Sequence, residues 1–267
     1  MNSIDTHAHV FSAHDQFIAT ARYTPNYDAP VQSFISHLDK HNLTHGILVQ
    51  PSFFGTNNDV MLKAIRQFPK RLKGIAVVDT TATLEELSQL KEQGIVGIRL
   101  NLFGLPIPSL DTSEWKRFLT NLEILEWQIE LHAPPEYLVS LLPLLNQYSL
   151  DIVIDHFGRV DSIPDITGSD YQEFLKLLNV DRHWIKISGF YRLGHSSENL
   201  EIAKKAYALL KEKGLISKLI WGSDWPHTQF ESTISYELAF NALKKIVVDK
   251  QEQHMILSSN ALKLFKS

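Results

Sequence analysis

The chain of 267 residues contains no cysteine. Disulfides, zinc–thiolate sites and thiol nucleophiles are thereby excluded, so its chemistry has to come from nitrogen and oxygen groups. It also lacks any apolar run near the ~18 residues that a membrane span needs. A surplus of positive charge is missing too. Lys and Arg number 26 against 30 Asp and Glu, a net charge of −4, and nothing draws the chain as a whole to nucleic acid or to an anionic membrane. No linker, low-complexity segment or break in composition divides it. With 44% apolar and 21% charged residues it has the make-up of an ordinary globular protein with a sizeable core. One domain over residues 1–267 is expected. With a first strand read from Ser3 there is no room for a leader, and a cytoplasmic enzyme is the default.

Short β-type runs alternate with helix-length amphipathic stretches along the whole chain. Strands are read at 3–9 (SIDTHAH), 46–51, 74–79, 96–101, 128–132 (QIELH), 151–156, 184–188 (WIKIS) and 218–223. Helical spacing of apolar residues appears between them, for example at 31–43, 83–92 and 135–147. Eight strands each followed by a helix is the repeat of a single (β/α)8 TIM-type barrel. A long connection, 11–30, follows the first strand. Its Arg22, Tyr23 and Tyr27 either hold a substrate or pack on the rim as a surface loop.

The polar residues fall at strand ends, where barrel active sites form. Those ends carry His7 and His9, Gln50 and Ser52, Asp79, Arg99, His132, His156, Ser188 and Asp224. Asp5, His7 and His9 alternate, which predicts one shared face with Asp5 supporting the two imidazoles by hydrogen bonding. Histidines two apart near a strand end suit one metal ion or one substrate oxygen. The pair alone is a weak signal, and His132, His156, Asp224 and His227 at other strand ends strengthen it. Asp224, in WGSDWPH, can accept a proton from water or bind a metal; an Asp there also commonly caps a turn. The remaining histidines (14, 37, 41, 45, 183, 195 and 254) read as solvated or capping residues. Arg99, Arg159 and Arg192 gather at the same barrel end and imply an anionic substrate, unless they pair with carboxylates of neighbouring loops.

The stretches IDTHAHVF, RYTPNYDAP, HGILVQPSFFGTNN, GIRLNL, IDHFGR and WGSDWPHTQ, taken in order, resemble the amidohydrolase superfamily. The branch is that of 2-pyrone-4,6-dicarboxylate lactonase and related sugar-acid lactonases, and the likeness runs from Ile4 to about Gln229. It implies a distorted barrel with an extra C-terminal helix, and hydrolysis of a cyclic ester. By this resemblance Asp224 deprotonates the attacking water while His7, His9 and His156 polarise the lactone carbonyl. Tyr23, Ser52, Arg99, Arg192 and His227 match positions that hold the substrate, and His132 and Arg159 join them as substrate-binding candidates from their places at the strand ends. Many members of the superfamily bind one or two divalent metals. Strand four has Arg99 and neither Lys nor Glu, which speaks against a two-metal site. A single zinc or manganese on His7, His9, His132 and Asp224 stays open, with metal-independent catalysis the expectation. The segment FGLPIPSLD lacks the further arginine of the dicarboxylate pattern, so a monocarboxylate or neutral sugar lactone is an alternative substrate.

Three other functions compete. A mononuclear metal-dependent decarboxylase of the same superfamily would share the two histidines and the aspartate. A metal-dependent nuclease also begins DTHxH, but the basic groove and the middle-strand glutamate ligand are missing. A barrel that only binds a small acid would have no use for a general base. The expected partner is a small anionic lactone, with neither nucleic acid nor membrane, and the chain is expected to be a monomer or homodimer.

Overall fold

The structure is a computed structural model and describes residues 2–194 and 197–265. His195 lies outside these residues. Eight parallel strands hydrogen-bond in chain order: β1 (Ile4–Ala8), β2 (His45–Val49), β3 (Leu72–Ala76), β4 (Ile95–Asn101), β5 (Gln128–His132), β6 (Ile152–Ile154), β7 (His183–Ile187) and β8 (Leu219–Trp221). Closure between β8 and β1 runs mainly through groups beyond the strand ladder. His9 N donates to Trp225 O (2.7 Å) and Asp224 N to His7 O (2.8 Å). The Thr6 hydroxyl donates to Trp221 O (2.8 Å). The expected (β/α)8 barrel is present, distorted at this seam.

Helices connect successive strands: α1 (Val31–Lys40), α2 (Asp59–Gln67), α3 (Leu84–Glu92), α4 (Ser113–Ile124), α5 (Pro135–Leu145), the pair α6 (Ile163–Thr167) and α7 (Ser169–Leu177), and α8 (Asn199–Glu212). After β8 come α9 (Tyr236–Ile246), α10 (Lys250–His254), a π-helical turn and α11 (Asn260–Phe265). Each helix forms for local reasons. In α1 the buried Val31, Phe34, Ile35 and Leu38 lie on one stripe. α3 starts at a capping box between Thr83 and Glu86. Among the described residues no helix is long and apolar enough to cross a membrane.

Strand alternation sorts the core into two parts. Leu48, Ile129, Ile154 and Ile185 face the helix layer. Ile4, Ile47, Val49, Ile75, Val153, Trp184 and Ile220 form a second cluster together with Ala261, Leu264 and Phe265. A cluster drawn from six strands and one helix is the barrel lumen, plugged at the bottom by α11. Above that layer the lumen is filled by charge.

One expectation fails at β1. Its register against β2 shifts between Asp5 and Ala8, a bulge that reverses the side on which side chains emerge. Asp5 consequently points out to α9, where Oδ2 accepts from the Tyr236 hydroxyl (2.8 Å), while His7 points into the lumen. The carboxylate holds backbone instead, its Oδ1 accepting from His7 N (3.1 Å) and Ser223 N (2.8 Å). Burial raises its pKa to about 6 despite those bonds. His183 also departs from expectation. It is a buried strand residue whose Nδ1 accepts from Asn179 N and whose Nε2 meets Asn146 Oδ1.

Candidate active site

The barrel mouth opens into a cavity of about 380 Å³ lined by His9, Arg22, Tyr23, Ser52, Arg99, His132, His156, Arg159, Arg192 and Asp224 among others. Short turns directly after the strands place several of these groups. Ser52, His156 and Arg192 sit in single 3-10 turns that follow β2, β6 and β7. Non-glycine residues with positive φ concentrate here: His156 (50°), Phe157 (58°), Arg159 (55°), Asp224 (60°), His227 (67°) and Gln229 (71°). Such backbone is uncommon and tends to gather where function requires it. Two glycines let the chains approach. A Cβ at Gly222 would lie 2.4 Å from His7 Cβ, and one at Gly189, itself at φ +56°, 2.7 Å from His156 Nδ1.

Asp224 is 1% exposed and its two oxygens have different tasks. Oδ2 accepts from Tyr191 Oη (2.7 Å) and Arg192 Nε (2.6 Å). Oδ1 faces His7 Nε2 (3.8 Å) and His9 Nε2 (3.7 Å). Burial opposes its ionisation, yet Arg192 first, with the neighbouring imidazoles, holds the carboxyl well below the usual carboxylate range. His9 Nδ1 lies 2.7 Å from Val49 O, a carbonyl that can only accept. That fixes a proton on Nδ1, and the neutral ring has its Nε2 lone pair on the side of Asp224 and the cavity. His156 Nδ1 pairs with Ser188 Oγ (2.9 Å), and burial lowers its pKa to about 3.

Beneath this surface lies a layer the sequence reading overlooked. Glu130 on β5, Asp155 after β6 and Lys186 on β7 surround His7, and all four are essentially unexposed. Lys186 Nζ lies 2.5 Å from Glu130 Oε1 and 3.1 Å from His7 Nδ1. Arg99 binds Asp155 Oδ2 through Nε (3.1 Å) and Nη2 (2.9 Å). Burial pushes the Glu130 carboxyl up, to about 8, although Lys186 pulls the other way. A middle-strand glutamate is thus present, contrary to the sequence reading, and it is engaged by lysine. The signal was available: in QIELH and WIKIS the charged residue alternates with the outward Ile and Leu.

The other expected residues divide. His132 lines the cavity, its Nδ1 3.1 Å from Asn101 Oδ1 and its ring stacked on Phe103 at 5.6 Å. The guanidinium of Arg159 lies 4.3 Å from the centre of the same phenyl ring, and its Nε is buried without a partner. Among the described residues its one ion pair is to Asp161, at 3.4 Å, whose carboxylate is half exposed. Tyr23 lines the cavity with its hydroxyl 3.4 Å from Glu231. Arg22 donates to Phe103 O, bringing a cation from the first loop to the segment that has no arginine of its own. Tyr27 packs on Phe11 instead. His227 stands behind the wall with Nδ1 3.1 Å from Tyr191 Oη. Asp79 is exposed and away from the cavity, and Gln50 bonds the loop carbonyls of Gly55 and Asn57. Sequence reasoning missed Tyr191, an aromatic four residues past the end of β7 with no charged group to mark it.

Among the described residues two groups bring ligand atoms within 4.8 Å of one another, His7, His9 and Asp224, and His7, Asp155 and His156. His132 belongs to neither. Both groups rely on His7, whose Nδ1 already meets the Lys186 ammonium. One oxygen of each carboxylate is also committed to an arginine. These commitments count against a divalent ion at either group.

The sequence profile of the amidohydrolases matches residues 4–266. The chain belongs to the amidohydrolase family. It is an enzyme of the hydrolase class. This amidohydrolase is 30% identical over 269 residues to a 4-sulfomuconolactone hydrolase of Rhizobium radiobacter, covering 98% of this chain and 89% of the relative. It is 23% identical over 276 residues to a 2-pyrone-4,6-dicarboxylate hydrolase of Comamonas testosteroni, covering 98% and 90%. The crystal structure of a probable 2-pyrone-4,6-dicarboxylic acid hydrolase from Acinetobacter baumannii, with citric acid bound, has 65% identity and a TM-score of 0.98 over 100% of both chains.

Proposed function

We propose that this amidohydrolase opens a small anionic lactone by water attack, with Asp224 as general base. One observation carries the reading. Asp224 is a buried, ionised carboxylate with one oxygen tied to Arg192 and Tyr191 and the other facing two imidazoles. A water between Asp224 Oδ1 and His9 Nε2 has two acceptors for its hydrogens, which aims its lone pairs at a bound carbonyl. Asp224 takes a proton as the water oxygen bonds to the carbonyl carbon. The negative charge passes to the carbonyl oxygen, where ring N–H and guanidinium groups stabilise it. Collapse breaks the ring C–O bond, and the proton on Asp224 returns to the leaving oxygen. The product is a hydroxy acid or its keto tautomer.

Arg22, Arg159 and Arg192 line the cavity, so a substrate with more than one anionic group is supported. The names of the relatives and the citric acid in the Acinetobacter structure point the same way. The missing arginine after β4 is answered by Arg22 from the first loop. The test is ultraviolet-monitored turnover of 2-pyrone-4,6-dicarboxylate and 4-sulfomuconolactone by chelator-treated protein. Ring opening of either supports the reading. Failure on both lactones, or release of carbon dioxide in place of ring opening, overturns it.

A further inference from the structure

His7 lies directly beneath the reacting groups, and everything it can do depends on which ring nitrogen holds its proton. Three groups surround Nδ1. Lys186 Nζ is at 3.1 Å, Asp155 Oδ1 at 3.4 Å and Glu130 Oε1 at 3.5 Å. An ammonium has no lone pair, so its short contact is made only with an unprotonated Nδ1. A proton on Nδ1 would set two donors face to face. Asp155 Oδ1, the acceptor that such a proton would need, is itself buried without a hydrogen-bond partner. His7 Nε2 is likewise buried and unpartnered, and it faces Asp224 Oδ1.

We propose that Lys186, braced by Glu130, is a positioning residue that fixes His7 as its Nε2–H tautomer, making it an N–H donor to the reacting oxygen and closing its lone pair to metal. The proposal refines the role of His7 in the lactone hydrolysis above and rests on that reading only for its catalytic consequence. Lys186 reaches its station because β7 alternates, with Ile185 and Ile187 turned to the helices. Glu130 Oε1, 2.5 Å from Nζ, keeps the ammonium from swinging to Asp155, 3.6 Å away. The two imidazoles of the first strand then have opposite duties. His9, protonated on Nδ1 by its bond to Val49 O, offers an acceptor; His7, with Nδ1 occupied, offers a donor. A water or oxyanion between them finds both. The same arrangement leaves His9 Nε2 and Asp224 Oδ1 as the free lone pairs of their group, fewer than the three protein ligands of an ordinary catalytic zinc site.

The experiment is a two-bond 1H–15N spectrum of the wild-type protein labelled with 15N-histidine, with the His7 signals assigned by their loss in His7→Gln. A pyridine-type Nδ1 and a pyrrole-type Nε2 support the proposal, and the reverse pattern overturns it. Zinc titration by calorimetry is the second readout. Lys186→Met should bind zinc about 10- to 100-fold more tightly than wild type, the range by which groups behind a ligand alter metal affinity. Lys186→Gln, whose amide can still donate to Nδ1, should keep the wild-type tautomer and zinc affinity. Equal affinity in wild type and Lys186→Met overturns the proposal. If Lys186→Met does not fold, the wild-type spectrum decides alone. Neither readout uses a lactone, so a wrong substrate class would show only in turnover and leave these results standing.

Discussion

Replacing Asp224 with Asn tests the core of the mechanism, because the amide is nearly isosteric and its hydrogen bonds can be traced. The amide oxygen can take the place of Oδ2 and accept from Tyr191 and Arg192. The NH2 group then stands where Oδ1 faced His7 and His9, and the Tyr191 and Arg192 bonds keep the side chain anchored. What vanishes is the charge and the proton acceptor. Loss of a positioned general base lowers kcat by about 10²- to 10⁴-fold, which is about 3–5.5 kcal/mol at 1.36 kcal/mol per decade. Arg192, relieved of its counter-ion, leaves the cavity more positive, so KM for an anionic lactone should stay level or fall. Stability should drop by about 1.5–3 kcal/mol for the lost charge-assisted bond, measurable by thermal melting.

The assay is steady-state ring opening followed by absorbance, with calorimetric binding of the anionic product as a check on the pocket. Turnover within about threefold of wild type, in a variant that melts cooperatively and binds product, would refute the assignment. In the wild type the sign of the pH dependence follows from the same geometry. Arg192 holds the Asp224 carboxyl well below the ordinary carboxylate range, so the base stays ionised as pH is lowered. Turnover should show no loss from base protonation between about pH 8 and 5. A limb with an apparent pKa near neutrality would point to another group.

Three further outcomes can be checked. Arg159→Met should raise KM about 10- to 100-fold with kcat nearly constant, since the guanidinium sits on Phe103 and does not bond the oxygens of Asp224, which are held by Tyr191 and Arg192, and one charge-assisted bond contributes about 1.5–3 kcal/mol; equal losses in kcat would refute this placement. Acidification should lower the melting temperature. Burial depresses His156 to about 3, and His183 and His227 to about 4, from 6.5, so the unfolded chain takes up protons first and each imidazole loses at most about 1.4 kcal/mol per pH unit as pH falls below 6.5. Asp5, raised to about 6, and Glu130, raised to about 8, act in the opposite sense, contributing less as pH rises through those values. Three imidazoles against two carboxyls still leaves acid destabilisation between about pH 6 and 4.5, and a flat melting profile there would refute the balance. Phe265→Ala should cost about 3–5 kcal/mol by opening the plug beneath the lumen while leaving kcat unchanged.

How far the sequence could be read follows from what its alternation encodes. Period-two runs located all eight strands, and apolar stripes located the helices, because each has one face in the core. The strand ends then pointed to His9, His156, Arg99 and Asp224 with no knowledge of the register. What alternation cannot reveal is an insertion that changes its phase. The bulge in β1 adds one residue without any glycine or proline to mark it, so alternation assigns Asp5 to the face of His7 when it holds the backbone of His7 and of Ser223, just past β8. The reverse error hid Glu130 and Lys186. They obey the alternation, but a charge at an inward position conflicts with the expectation of an aliphatic lumen, and the strand end drew attention to His132 and Ser188 instead. A buried charge on a central barrel strand costs several kcal/mol unless a partner meets it. Finding two on the inward phase of nearby strands therefore amounts to a prediction that they meet each other. They do so beside His7, and the histidine motif that led the sequence reading acquires its chemistry from that pair.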